Sequence, residues 1–110
     1  MNHRRLKCYN LAMSMTKAMP DLIDSWPRGY GYLADQLKRA MSSIPLNIAE
    51  GNSRRSCLER RRFFTIALGS VSEVSAIIDI VVAYRLIHQS QSESIQNDLL
   101  QIYKMLYKLK

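Results

Sequence analysis

Arg54, Arg55, Arg60, Arg61 and Arg62 stand within nine residues, with Glu59 the single carboxylate among them, a local net charge of +4. Guanidinium groups at that density suit phosphate, because each is permanently charged and presents a planar fork of donors. Arg60, Arg61 and Arg62 fall in the first turns of a predicted helix, where a cation opposes the helix dipole. Phosphates would neutralise that placement, and exposed N-terminal amides would add to their binding. Lys38 and Arg39 are candidates to extend the same surface. The competing reading is a solvated arginine face, or pairing with Glu50 and Glu59. The whole chain has the same sign of charge: 16 Lys and Arg against 9 Asp and Glu, net +7. Such an excess favours nucleic acid, an anionic membrane surface or an acidic protein as partner. RNA or DNA bound through these arginines, without enzymatic chemistry, is the leading expectation. A protein-interaction scaffold that does not itself bind nucleic acid is the alternative.

Catalytic readings find little support. His3 lies near the chain start and His88 at the end of a predicted helix, where a cation suits the dipole. Neither neighbours a nucleophile and carboxylate in a catalytic pattern. Gly29, Gly31, Gly51 and Gly69 are isolated, so no phosphate loop is present. Glu50, Glu59, Glu73 and Glu93 have no His three positions on, which removes the di-iron bundle motif. Cys8 and Cys57 lie far apart with no ligand at metal spacing, so neither zinc nor a redox dithiol is expected, and no cofactor is implied. The basic start is not followed by a long apolar stretch, and the longest apolar run is Ile80–Tyr84. The expectation is therefore a chain without leader or membrane span, in a reducing cytoplasm.

Helices must position these residues. The first is predicted over 3–24, with Leu6, Tyr9, Met13, Thr16 and Met19 on one face and Pro20 interrupting or ending its regular part. Residues 24–31, rich in Pro and Gly, read as a connection. The second carries Leu33, Leu37, Met41, Ile44 and Ile48 at steps of 4, 4, 3 and 4. Pro45 should bend it, and Gly51 should stop it in the left-handed region. Ser56 with Glu59, and Ser90 with Glu93, read as capping boxes. They bracket a third helix over 57–88 and open a fourth with Ile95, Leu99, Ile102, Leu106 and Leu109 as its seam. Helices joined by short turns predict one domain, residues 1–110: an all-α, antiparallel up-down-up-down four-helix bundle.

The third helix is apolar on two sides. Phe64, Leu68, Val71, Val74, Ile78 and Val81 form one stripe; Phe63, Ile66, Ile77, Ile80, Tyr84 and Ile87 form another. A lone bundle needs only one, so the second is expected to meet another subunit, unless the helix is simply central within its own chain. Gly69, with Ala67, Ser70, Ser72 and Ser75, makes a small-residue zone suited to close helix approach. Asp79, among apolar neighbours, needs a partner or a raised pKa; an Arg or tyrosine hydroxyl of a neighbouring helix is the expected partner, and a functional site is the alternative.

The stretch Leu33-Ala-Asp-Gln-Leu-Lys-Arg-Ala-Met-Ser-Ser-Ile-Pro-Leu-Asn-Ile-Ala-Glu-Gly51 resembles the signature of the bacterial four helix bundle protein family. That family includes proteins encoded in intervening sequences of large-subunit ribosomal RNA genes, and the accessory variability determinant of diversity-generating retroelements is a relative. Ser56-x-x-Glu59 followed by Phe63-Phe-Thr-Ile-Ala-Leu-Gly-Ser70 and Glu73 is similar to the same family. The resemblance covers helices 2 and 3, about half of the chain. It implies a four-helix bundle, a homopentameric ring and no enzymatic activity. As partners it implies RNA or DNA and a reverse transcriptase, with which the retroelement relative associates. Lys38 and Arg39 match the family's basic pair, and Asn47 and Glu50 its Asn-Ile-Ala-Glu-Gly turn, where Arg39 and Glu50 are candidates to pair. The family's acidic-basic stretch ahead of helix 2 is replaced here by Trp26-Pro-Arg-Gly-Tyr-Gly-Tyr32.

Overall fold

The computed structural model describes residues 2–110. A 3-10 turn, Asn2–Arg5, precedes four α-helices: α1 (Lys7–Asp24), α2 (Gly31–Ser53), α3 (Cys57–Ala83) and α4 (Gln89–Leu109). Among the described residues there is no strand. The longest dimension is 45 Å, against 23 and 20 Å across. That length matches α3 alone at 1.5 Å per residue. The connections are too short to carry the chain back along the bundle, so each helix runs antiparallel to the one before it. Each also packs on its sequence neighbour, and α4 closes on α1, while α1/α3 and α2/α4 stay apart across the core. This is the expected four-helix bundle.

The predicted faces hold on α2 and on the inner side of α3. Leu33, Leu37, Met41, Ile44 and Ile48 are buried, as are Phe64, Leu68, Val71, Val74, Ile78 and Val81. On α4, Leu99, Ile102 and Leu106 are buried, but Leu109 is exposed at the helix end. Helix α1 turns differently. Its buried residues are Cys8, Ala12, Met15 and Met19, at steps of 4, 3 and 4; Leu6 and Tyr9 pack only partly against the core. Pro20 lies inside α1 without ending it.

The end of α3 and the start of α4 depart from their sequence signals. Helix α3 stops at Ala83, not 88: Arg85 takes a left-handed φ of 62° and the Leu86 amide reaches back to the Val81 carbonyl. That is a Schellman-type stop built without glycine, so nothing local announces it. Helix α4 is capped at His88, whose backbone N–H donates to the Gln91 side chain at 3.0 Å; Ser90 lies inside the first turn. The Ser56 cap is formed, its hydroxyl accepting from the Glu59 amide at 3.4 Å.

Gly51 is helical and buried, not a left-handed stop. A Cβ there would sit 2.8 Å from Phe64 Cε1 and 3.1 Å from Phe63 Cβ, so the glycine lets α2 and α3 close on each other above the Phe64 ring. A Cβ at Gly69 meets nothing within 4 Å, because that residue faces outward. The two glycines should therefore respond oppositely to alanine. Gly51→Ala overpacks a core site at ~1–3 kcal/mol, outweighing the ~1 kcal/mol that alanine gains in a helix. Gly69→Ala keeps only that gain. Urea denaturation of the two variants should move their midpoints in opposite directions.

The thiols also separate. Burial raises the Cys8 pKa, whereas Cys57 is exposed. A thiol reagent should modify one cysteine in the native protein and both in denaturant.

Helix α3 is long and apolar enough, by length and composition, to cross a membrane, contrary to the reading from uninterrupted runs. In the bundle its apolar rows face α2 and α4: Ser70 meets Ser43 of α2 at 2.8 Å, and Ser75 meets Gln96 of α4 at 2.6 Å.

Candidate nucleic-acid interface

The row of α3 that faces α2 runs Phe63, Ala67, Ser70, Val74, Ile77, Val81, at steps of 4, 3, 4, 3 and 4. Ile77 belongs to it and is 2% exposed. Ile87, beyond the helix, folds back into the chain's own core. Neither is available to a second subunit, which corrects two members of the expected interface stripe. Ile66, Ile80 and Tyr84 are exposed, and Phe63 is half-buried. Leu58, at 75% exposure, joins them on the outer face. Tyr84 also touches Tyr30, ring centroids 5.8 Å apart. The neighbouring Tyr84 side chain is the main cause holding the Tyr32 hydroxyl above its ordinary pKa. Asp79 is exposed and accepts from Gln96 Nε2 at 3.2 Å.

The arginine cluster forms where α2 hands over to α3, and it divides by role. Arg54 pairs with Glu50 at 2.8 Å and lies 4.9 Å above the Phe63 ring. Arg62 stands 5.8 Å from the same ring and 3.9 Å from Glu59. Phe63 is thus the platform of the cluster. Arg60 donates to the Asn52 and Arg54 carbonyls at 3.2 and 3.4 Å, satisfying groups that the end of α2 leaves unpaired. Among the described residues, Arg55 and Arg61 make no ion pair or side-chain hydrogen bond of their own. The ion pairs of Arg54 and Arg62 are solvent-exposed and contribute little, and each guanidinium keeps donors to spare.

Lys38 and Arg39 do not join this cluster. They lie about 20 Å back along α2 at 1.5 Å per residue. Glu50 takes Arg54 as partner in place of Arg39, and Asn47 donates to the Ser43 carbonyl at 2.8 Å.

The topology supplies other cations instead. The 3-10 turn packs on the end of α2, where Asn2 and His3 line a recess with Ala49, Asn52 and Ser53. Arg4, Arg5 and Lys7 therefore sit at the same end as Arg54 and Arg55. Ser75 of α3 opposes Gln96 of α4. With the two helices antiparallel, Lys110 comes level with Arg61 and Lys108 with Phe63. Lys104 lies about 9 Å short of Lys110 along the axis. This end of the bundle holds eleven lysines and arginines against Glu50 and Glu59, a net charge of +9. The rest of the molecule has five cations and seven carboxylates, net −2. Reading the arginine run alone missed six of the eleven. The signal that finds them is the coincidence of cations near the starts of α1 and α3 with cations near the ends of α2 and α4.

The arginines of this basic pole are not among the residues that line the recess beside Asn52. Among the described residues, no three His, Cys, Asp or Glu side chains gather as a metal site. The arrangement presents fixed positive charge over an end about 20 Å wide.

No curated protein is significantly similar to the chain. One solved structure with the same architecture is the crystal structure of a protein of unknown function from the S23 ribosomal protein family of Bacteroides thetaiotaomicron. It is 22% identical, with 99% of this chain and 97% of that one covered, at a TM-score of 0.85. Residues 4–108 match the family model described as 23S rRNA-intervening sequence protein. That match reaches into all four helices, and on it the chain belongs to the 23S rRNA-intervening sequence protein family.

Proposed function

We propose that this protein binds the phosphate backbone of RNA or DNA through its basic pole, without catalysing a reaction, as an assembly of several copies. The observation that carries the reading is the concentration of charge: four helix ends bring eleven cations together against two carboxylates, while the remainder of the bundle is slightly acidic. Arg60, Arg61 and Arg62 oppose the α3 dipole, and bound phosphate offsets that cost. Arg54, Arg55, Arg60, Arg61 and Arg62 provide the centre of the surface, and the N-terminal and C-terminal cations widen it. A broad pole of fixed positive charge suits backbone contacts, which position a nucleic acid without reading its bases.

Assembly is supported by the outer face of α3, where Leu58, Ile66, Ile80 and Tyr84 are exposed, and by Leu100, Tyr103 and Tyr107 on α4. The resemblance to ring-forming relatives favours a pentamer. A ring with its basic poles on one rim would multiply weak phosphate contacts.

The test is a salt titration. If about six phosphates are engaged, affinity for a hairpin RNA or a duplex DNA of matched length should fall about 10³-fold between 50 and 200 mM salt. An affinity indifferent to salt would remove the reading. Comparison of the RNA and DNA arms separates simple backbone binding, which treats them alike, from use of the 2′-hydroxyl. Light scattering tests assembly separately: a single-chain mass at micromolar concentration contradicts it and leaves the pole's own binding intact.

A further inference from the structure

We propose that the groove between α1 and α4, away from the basic pole, is a docking site for a basic amphipathic helix of a partner protein. The groove encloses about 450 Å³. Its floor is apolar, with Met15, Met19, Leu22 and Ile95, and Ala18 leaves room for close approach. Asp21 and Asp98 also line it, one on each helix. From Ser14 to Ser25 the α1 wall is about 16 Å long at 1.5 Å per residue, which fits three turns of a helix laid along it.

Charge selects the occupant. Asp21 and Asp24 stand in the last turn of α1, which holds no basic residue. A carboxylate there opposes the helix dipole. Among the described residues no Lys, Arg or His pairs with Asp21, Asp24 or Asp98. A cationic ligand would neutralise these groups, as phosphate would neutralise the arginines at the other end. Nucleic acid is repelled from this groove by the same carboxylates. An apolar floor flanked by acids matches the leucine-rich face and flanking lysines of a basic amphipathic helix.

The test uses a synthetic 14-residue helix of leucine and lysine, with leucines at positions 1, 4, 8 and 11. Calorimetry should show saturable binding, and hydrogen exchange should show protection confined to the second half of α1 and the first half of α4. Asp21→Asn with Asp98→Asn should weaken binding at least tenfold at low salt, and Ala18→Trp should abolish it, with circular dichroism confirming that each variant is folded. The same peptide with glutamate for lysine should not bind. Absence of saturable binding, protection on the outer face of α3, or equal affinity in the asparagine variant would each overturn the proposal. So would a change in the solution mass of the unliganded protein on Ala18→Trp, which would make a second copy the occupant. The proposal stands apart from the nucleic-acid reading: glutamine at Arg55 and Arg61 should leave peptide affinity unchanged, and the asparagine variant should still retard RNA.

Discussion

Glutamine at Arg55, Arg61, Lys108 and Lys110 together should lower affinity for RNA or DNA by about 10²–10³-fold at 100 mM salt. Arg55 and Arg61 make no ion pair or side-chain hydrogen bond of their own among the described residues, and Lys108 and Lys110 form no ion pair there. Their loss should spare the fold. Each neutralised phosphate contact removes nearly one unit from the slope of log affinity against log salt. With all four in contact, the slope should therefore fall by about 3.6 in the variant. Glutamine at Lys38 and Arg39 should change neither affinity nor slope appreciably, since both residues lie about 20 Å from the pole along α2. Equal losses from the two variants, measured by anisotropy across a salt series, would show that the whole surface charge acts and that the pole has no special part. Arg60→Gln should behave differently again. It withdraws donors from the Asn52 and Arg54 carbonyls, so it should lower stability as well as binding.

The largest effect on stability is expected at Phe64. Its side chain is fully buried, and Gly51 of α2 packs directly over its ring. Phe64→Ala removes a core aromatic and leaves a cavity that two close-packed helices cannot easily fill, a cost of ~3–5 kcal/mol. Small domains hold only about 5–15 kcal/mol in total. The melting temperature should fall by roughly 15–25 °C, followed by circular dichroism. Phe63→Ala should cost about 1 kcal/mol or less, since that ring is half-buried and its extra contacts are the Arg54 and Arg62 guanidiniums. Adjacent residues of one type thus divide between core and surface. A comparable loss from both would contradict the placement of Phe63 as a surface platform.

Sequence periodicity located the four helices and the buried rows of α2 and α3, because a 3.6-residue repeat is a local property of the chain. The Ser56 cap was equally legible, since a cap needs only residues three apart. The family signature in Leu33–Gly51 and Phe63–Ser70 pointed to the bundle, and the match over residues 4–108 agrees with it. Local signals failed where a helix end depended on more than residue type. Arg85 takes a conformation usually left to glycine, so Tyr84 and Ile87 seemed to continue α3.

By itself, then, the sequence determined that this chain forms amphipathic helices with one arginine-rich junction. Only the tertiary structure decided which residues of those helices meet. Ile66 and Ile77 are eleven residues apart and point almost the same way from α3, yet only Ile77 is buried while Ile66 is exposed, so direction from the helix axis did not by itself decide burial. The basic pole arises in the same manner: Arg4, Arg61 and Lys110 are remote along the chain and become neighbours only because antiparallel packing brings the starts of two helices beside the ends of the other two. Periodicity fixes a direction around one helix axis; burial and charge density depend on what the other three place beside it.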